Sequence, residues 1–315
     1  HLIKKLIKDK KLFFGPLSSF LTHSITNNIG IDNSIACRTL LFNISKNKWS
    51  KFAMNLFEVP ESCLPPIVPI RHHHGTMFNS NIDLKVVIGD QQAALIGHYG
   101  LQKNSLAANY GTSASIQLNV GSHPRIINGL LSSILFSNSK QRLFMVEGTI
   151  NSCNSLFYYL EKKFNISHEI MNWNDRIKNI NTDGIFIPGF SGIASPHWKT
   201  GFEDISINLN GNIDQTIRAA METIGLLTND ILNHLKKNKF KIKKDLMVSG
   251  GAAKPSLLQF VADVTKASDA FLASDIEKGL SSNSISFSII SSRMRARVIP
   301  GRIKLLKLRV ITFPC

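Results

Sequence analysis

Cysteine is scarce in this 315-residue chain, and what there is of it is scattered. Cys37, Cys63, Cys153 and Cys315 fall in no CxxC spacing. That argues against a disulfide framework and against a zinc site, and suits a reducing, cytoplasmic setting. Long apolar runs are missing too: none could span a bilayer as a helix, so no membrane partner is expected. The lysine-rich start lacks the apolar centre and cleavage site of a secretory leader. Acidic residues are few, 21 against 37 basic ones, and none follows Glu277. The chain also opens on His1 rather than methionine, as a fragment would.

What is present is 43% hydrophobic, enough for one large or two ordinary domains. The net charge of +16 invites a nucleic-acid or anionic-membrane reading. Much of the excess is local, however. Lys4, Lys5, Lys8, Lys10 and Lys11 crowd the start, and Arg293, Arg295, Arg297, Arg302, Lys304, Lys307 and Arg309 crowd the end. With Lys and Asn used freely between, the charge resembles compositional drift more than a built patch. A basic nucleic-acid-binding module therefore stands only as a second alternative, resting on charge alone.

The local pattern is α/β. Thr39 to Ile44 alternates like a strand, Trp49 to Phe57 reads as a short amphipathic helix, and Pro60, Pro65, Pro66 and Pro69 stiffen the connection that follows. His72-His73-His74 reads as an exposed polar loop or strand entry; three adjacent histidines cannot all face one metal. Ser115 to Val120 alternates like a half-buried strand, and Leu143 to Gly148 reads as a strand ending in an acidic-glycine turn. Helices are expected over Asn151 to Lys163, from an Asp214 N-cap through Leu235, and from Leu257 to Thr265.

Three blocks could carry chemistry. Val86-Val87-Ile88 runs into Gly89-Asp90-Gln91-Gln92-Ala93-Ala94-Leu95, which reads as a buried strand delivering one carboxylate to a glycine turn at the start of a helix. Asn109-Tyr110-Gly111-Thr112-Ser113 is a small-residue turn whose N–H groups could meet a phosphate. Val248-Ser249-Gly250-Gly251-Ala252 is a strand entering a Gly-Gly turn before a helix, without the Lys-Ser/Thr of a Walker loop. A carboxylate facing a phosphate turn suits phosphoryl transfer, where a base takes a hydroxyl proton and positioning does most of the rest. An ordinary turn or helix cap would use the same residue types.

Together, and in this order, the blocks resemble the FGGY carbohydrate kinases, from about Gly15 to about Lys278. Arg38-Thr39-Leu40-Leu41-Phe42-Asn43-Ile44 is similar to a glycerol-kinase stretch. Pro188-Gly189-Phe190-Ser191-Gly192 and Ser195-Pro196-His197-Trp198 resemble another family block. The resemblance implies a two-domain actin-like ATPase (ribonuclease-H-like) α/β fold with the first domain incomplete. Residues 1–100 would be the C-terminal part of the N-terminal, substrate domain, 101–280 the nucleotide domain, and 281–315 an atypical basic tail. It implies ATP and Mg²⁺ as cofactors, a sugar or polyol acceptor, and compatibility with a homo-oligomer. Asp90 would be the catalytic base and, with Gln91 beside it, would bind the substrate; through Mg-ATP, Asp90 would also be the candidate metal residue. Gly111, Thr112, Gly250, Gly251 and Ala252 would face the nucleotide. Departures from the pattern are the absence of the family's leading Asp-x-Gly-Thr phosphate loop and of its closing Thr-Ala-Leu-Gly-Ala-Ala helix, Asn154 in place of a glycine, and Ser249 in place of aspartate. They make a catalytically inactive kinase remnant the first alternative.

Overall fold

The computed structural model describes residues 2–9, 11–242, 245–265 and 269–272. The tail expected at 281–315, with its arginines, lies outside these residues. The framework is a six-stranded sheet of described strands. Its order is Asp269–Leu272, Asp245–Ser249, Leu106–Tyr110, Ala114–Gly121, Arg142–Ile150 and Leu131–Ser137. The first two pairings are parallel and the other three antiparallel.

Side chains alternate across a strand, so each strand serves two faces. Leu106, Ala108, Tyr110, Ile116, Leu118, Val146, Leu246 and Val248 point into the main core. They pack there with Ile217, Ile224, Ile231 and Leu235 of the long helix Ile213–Lys237 and with Leu257 and Val261 of Pro255–Thr265. Ala107, Leu135, Met145 and Met247 point the other way and meet Leu95 of the helix Asp90–Tyr99. Every residue of Ala114–Gly121 is consequently buried, and the half-buried strand expected there is corrected. Its polar positions, Ser115, Gln117 and Asn119, face a covered side rather than water.

Several local expectations shift in instructive ways. Asp83–Val86 forms a two-stranded antiparallel hairpin with Arg71–Thr76, and Val86 is exposed. The apolar run before Gly89 is therefore not a buried strand. Glu147 and Gly148 lie inside the strand Arg142–Ile150, not in a turn after it. The long helix is capped by Asn212, whose side chain accepts from Gln215 N, while Asp214 pairs with Arg176. The histidine run is a strand whose third member, His74, is buried with Nε2 3.1 Å from Ile70 O. Burial holds its imidazole below the usual histidine range. Strand structure near Thr39 to Ile44 is confined to Phe42–Asn43, because Leu40 adopts a positive φ of 61°.

Gly148 sets how closely the long helix approaches the sheet. A Cβ there would collide with three side-chain atoms of Ile231, which is fully buried. Gly148→Ala is expected to cost about 1–3 kcal/mol by overpacking. The two losses should be less than additive in the double variant with Ile231→Ala, which removes all three colliding atoms, read as denaturant midpoints at constant slope.

Candidate active site

Asp90 is the first residue of the helix Asp90–Tyr99, with Gly89 at the N-cap. A carboxylate is favoured at that position by the partial positive charge of the helix start. The side chain is exposed and its Oδ1 accepts from Gln91 N at 2.8 Å. The helix lies on the sheet and returns through a short connection to Leu106–Tyr110. Its first turn therefore sits over the carboxyl end of that strand, the end at which open α/β sheets bind ligands. Gln91 is half-buried, and Gln92 is buried with Nε2 donating to Ser133 Oγ at 3.0 Å.

Both glycine turns emerge at this same end. Gly111, Thr112 and Ser113 link Leu106–Tyr110 to Ala114–Gly121, with Thr112 and Ser113 exposed. Gly111 N donates to Ser113 O at 2.9 Å. The carbonyls of Gly111 and Thr112 accept from Asn154 N and from Cys153 N and Ser155 N, seating the turn on the helix Asn154–Phe164. The second turn, Gly250-Gly251, touches the first. Ala252 N donates to Tyr110 O at 2.9 Å. Gly250 has φ +102°, a conformation that favours glycine, and a Cβ there would collide with the Tyr110 carbonyl. Nothing stands within 4 Å of where a Gly251 Cβ would be. Ala252 is buried and fastens the turns, while Gly251 faces open space.

A polar chain joins this cradle to Asp90. Arg38 lies close enough to Asp90 to feel its charge, and its Nη2 is paired with Glu147 Oε2. Glu147 is only 3% exposed, and its Oε1 accepts from Ser115 Oγ at 2.8 Å. Ser115 lies opposite Asn109 in register, next to Tyr110. Burial alone would lower the Arg38 guanidinium, but Glu147 beside it, with Asp90 adding, holds its pKa above the ordinary value.

A second buried group stands behind Asp90. Asp32 caps the four-residue helix Asn33–Ala36, its Oδ1 accepting from Ser34 N and Ile35 N. Desolvation pushes its pKa from 3.8 up to about 6. The folded state then holds this proton more tightly than the unfolded chain. The stability so gained is full below about pH 3.8 and is lost as pH rises through about 6, at no more than about 1.4 kcal/mol per pH unit. Thermal melts from pH 4 to 7 should show the parent losing stability relative to Asp32→Asn. Parallel curves would contradict the shift.

Neither Asp32 and Ser34 nor the Glu147–Ser115 pair was legible as part of a site in the sequence. Arg38 was visible only as one letter of a longer resembling stretch. The usable signal was the polar residues Ser115, Gln117 and Asn119 alternating with apolar ones along one strand.

The profile for the FGGY family of carbohydrate kinases, C-terminal domain, matches residues 106–268, and that for the N-terminal domain matches residues 4–97. The chain belongs to the FGGY carbohydrate kinases. A Mycoplasma genitalium glycerol kinase is 30% identical over 281 residues, covering 84% of this chain and 55% of that protein. The Plasmodium falciparum glycerol kinase structure with ADP superposes with a TM-score of 0.72 at 24% identity, again over 84% of this chain and 55% of the other. Lactobacillus acidophilus gluconate kinase gives 0.67 at 17% identity, over 79% and 53%. The fold is thus the actin-like ATPase architecture of FGGY kinases. The chain spans about half the length of the curated relatives it matches. No described helix is long and apolar enough to cross a membrane.

Proposed function

We propose that this FGGY chain serves ATP-dependent phosphoryl transfer to a hydroxyl of a small polyol or sugar, with residues 1–100 forming the acceptor side and 101–280 the nucleotide side. The observation that carries the reading is the fastening of the two glycine turns by Ala252 N and Tyr110 O, at the sheet end where the Asp90 helix begins. Asp90 takes the acceptor's proton as the acceptor oxygen attacks the γ-phosphorus, the phosphoanhydride bond to the β-phosphate breaks so that ADP leaves with its electron pair, and Gln91 lies beside the acceptor. Backbone at Gly111, Thr112, Gly250 and Gly251 lines the phosphates, with Ala252 holding the turns in register. Positioning and charge stabilisation supply most of the catalysis in such transfers. The donor set is one exposed carboxylate, which fits a Mg²⁺ that keeps its waters and is held largely by substrate phosphates. When bound, Mg²⁺ would offset phosphate charge.

The test is calorimetric titration with MgATP followed by transfer of radiolabelled γ-phosphate to glycerol, xylulose and gluconate. Binding with transfer to one acceptor is expected. Binding without transfer would mark a chain that keeps the nucleotide cradle but not the chemistry. Absence of both would overturn the proposal.

A further inference from the structure

The turn that presents Asp90 is held from behind by a buried pair. Gly89 N donates to Ser34 Oγ at 3.0 Å, and the Ser34 hydroxyl donates to Asp32 Oδ1. Ser34 is fully buried, Asp32 is 1% exposed, and Gly89 is buried as well. The direction of these bonds matters. A hydroxyl has one hydrogen and two lone pairs. With its hydrogen committed to Asp32, Ser34 can only accept from Gly89, so the carboxylate sets the polarity of the serine. The turn is enclosed on its other sides too: a Cβ on Gly89 would collide with Gln92 Oε1 and come within 3.2 Å of Ile35 Cδ1.

A helix of four residues needs no buried carboxylate for a cap; Asn or Ser serves as well. Here Asp32 Oδ1 takes all three donors, and Oδ2 is buried with no hydrogen-bond partner among the described residues. A half-satisfied buried carboxylate is costly to keep. Its distinct product is the oriented hydroxyl under Gly89.

We infer that Ser34, oriented by Asp32, is a positioning residue for phosphoryl transfer, fixing the Gly89 turn so that the Asp90 carboxylate stands where the acceptor hydroxyl arrives. The inference rests on the reading of Asp90 as the base. Arg38, from the same short segment, lies close enough to Asp90 to feel its charge. Residues 32–38 thus hold both the backbone and the charge of the presenting turn.

The experiment compares the parent with Ser34→Ala, Asp32→Ala, Asp32→Asn and Asp90→Asn in the full chain. It measures amide exchange at Gly89 by NMR, and kcat and KM for MgATP. Ser34→Ala should speed Gly89 exchange at least tenfold and lower kcat about 10–100-fold, as expected for a reacting group displaced by about an ångström. KM for MgATP should stay within about twofold, since the nucleotide turns are untouched. Asp32→Ala should do the same by freeing the hydroxyl to rotate. Asp32→Asn keeps an acceptor at Oδ1 and should recover most of both. If Ser34→Ala does not fold, Ser34→Cys, near in shape but a weak acceptor, takes its place. Unchanged Gly89 exchange, or an unchanged kcat in Ser34→Ala while Asp90→Asn is inactive, overturns the positioning role alone. Full turnover in Asp90→Asn overturns the base reading and the role that rests on it.

Discussion

Replacing Asp90 by asparagine is expected to lower turnover by about 10²–10⁴-fold, the range over which a positioned general base contributes. Asparagine keeps the shape of aspartate and an oxygen that can accept from Gln91 N, as Asp90 does at 2.8 Å. It loses only the ability to take a proton and the negative charge at the helix start. That charge is worth about 0.3–1 kcal/mol at an exposed helix N-terminus, so the melting temperature should barely move. MgATP affinity should also hold, because the turns at Gly111 and Gly250 are seated on other elements. The signature is loss of kcat with a nearly constant KM and an intact thermal transition. A variant within about threefold of the parent in kcat would remove Asp90 from the chemistry.

Arg38→Met is expected to cost up to about 3 kcal/mol of stability, the low end of the penalty for stranding one member of a buried ion pair, because Glu147 is enclosed but Arg38 is only half-buried. Glu147 is almost wholly enclosed and is paired with Arg38 and the Ser115 hydroxyl. Methionine fills the space of the arginine stem but leaves Glu147 with one donor. If the stranded charge is the cause, Glu147→Gln added to Arg38→Met should restore much of the loss, since a neutral amide tolerates the site better. Denaturant unfolding of the two single variants and the double closes the cycle. Additive losses would mean that the pair is not coupled. Arg38 also lies within electrostatic reach of Asp90, so the restored double variant should remain impaired in turnover. That separates the structural effect of the pair from the electrostatic one.

Much of the proposed site was legible in the sequence because it is written in glycine and in one carboxylate. Gly111, Gly250 and Gly251 mark places where backbone approaches backbone or open space, and such requirements leave local traces. Asp90 at the head of a helix is a local pattern as well. The supporting groups were hidden because their partners are distant in the chain: Ser34 meets Gly89, and Arg38 meets Glu147. The alternation of Ser115 to Val120 gave the strand but not its environment. Period-two polarity looks the same whether the polar face meets water or a covering helix with its own polar partners. The apolar Val86-Val87-Ile88 misled for the opposite reason: the regular strand ends at Val86, and that residue is exposed on a two-stranded hairpin.

The parallel pairing of Asp245–Ser249 with Leu106–Tyr110 bears on how the molecule is made. Residues 107–109 align with residues 247–249, and everything between them in the chain is the loop that this pairing must close. Contacts of such high contact order form slowly, because the loop-closing entropy is lost before the contacts can compensate. The hairpin bearing Gly111 can arise early from neighbouring residues. The turn bearing Gly250 cannot join it until the long closure is complete. Nucleotide capture would therefore serve as a late reporter of folding, appearing in a refolding time course with the final sheet and not with the first collapse.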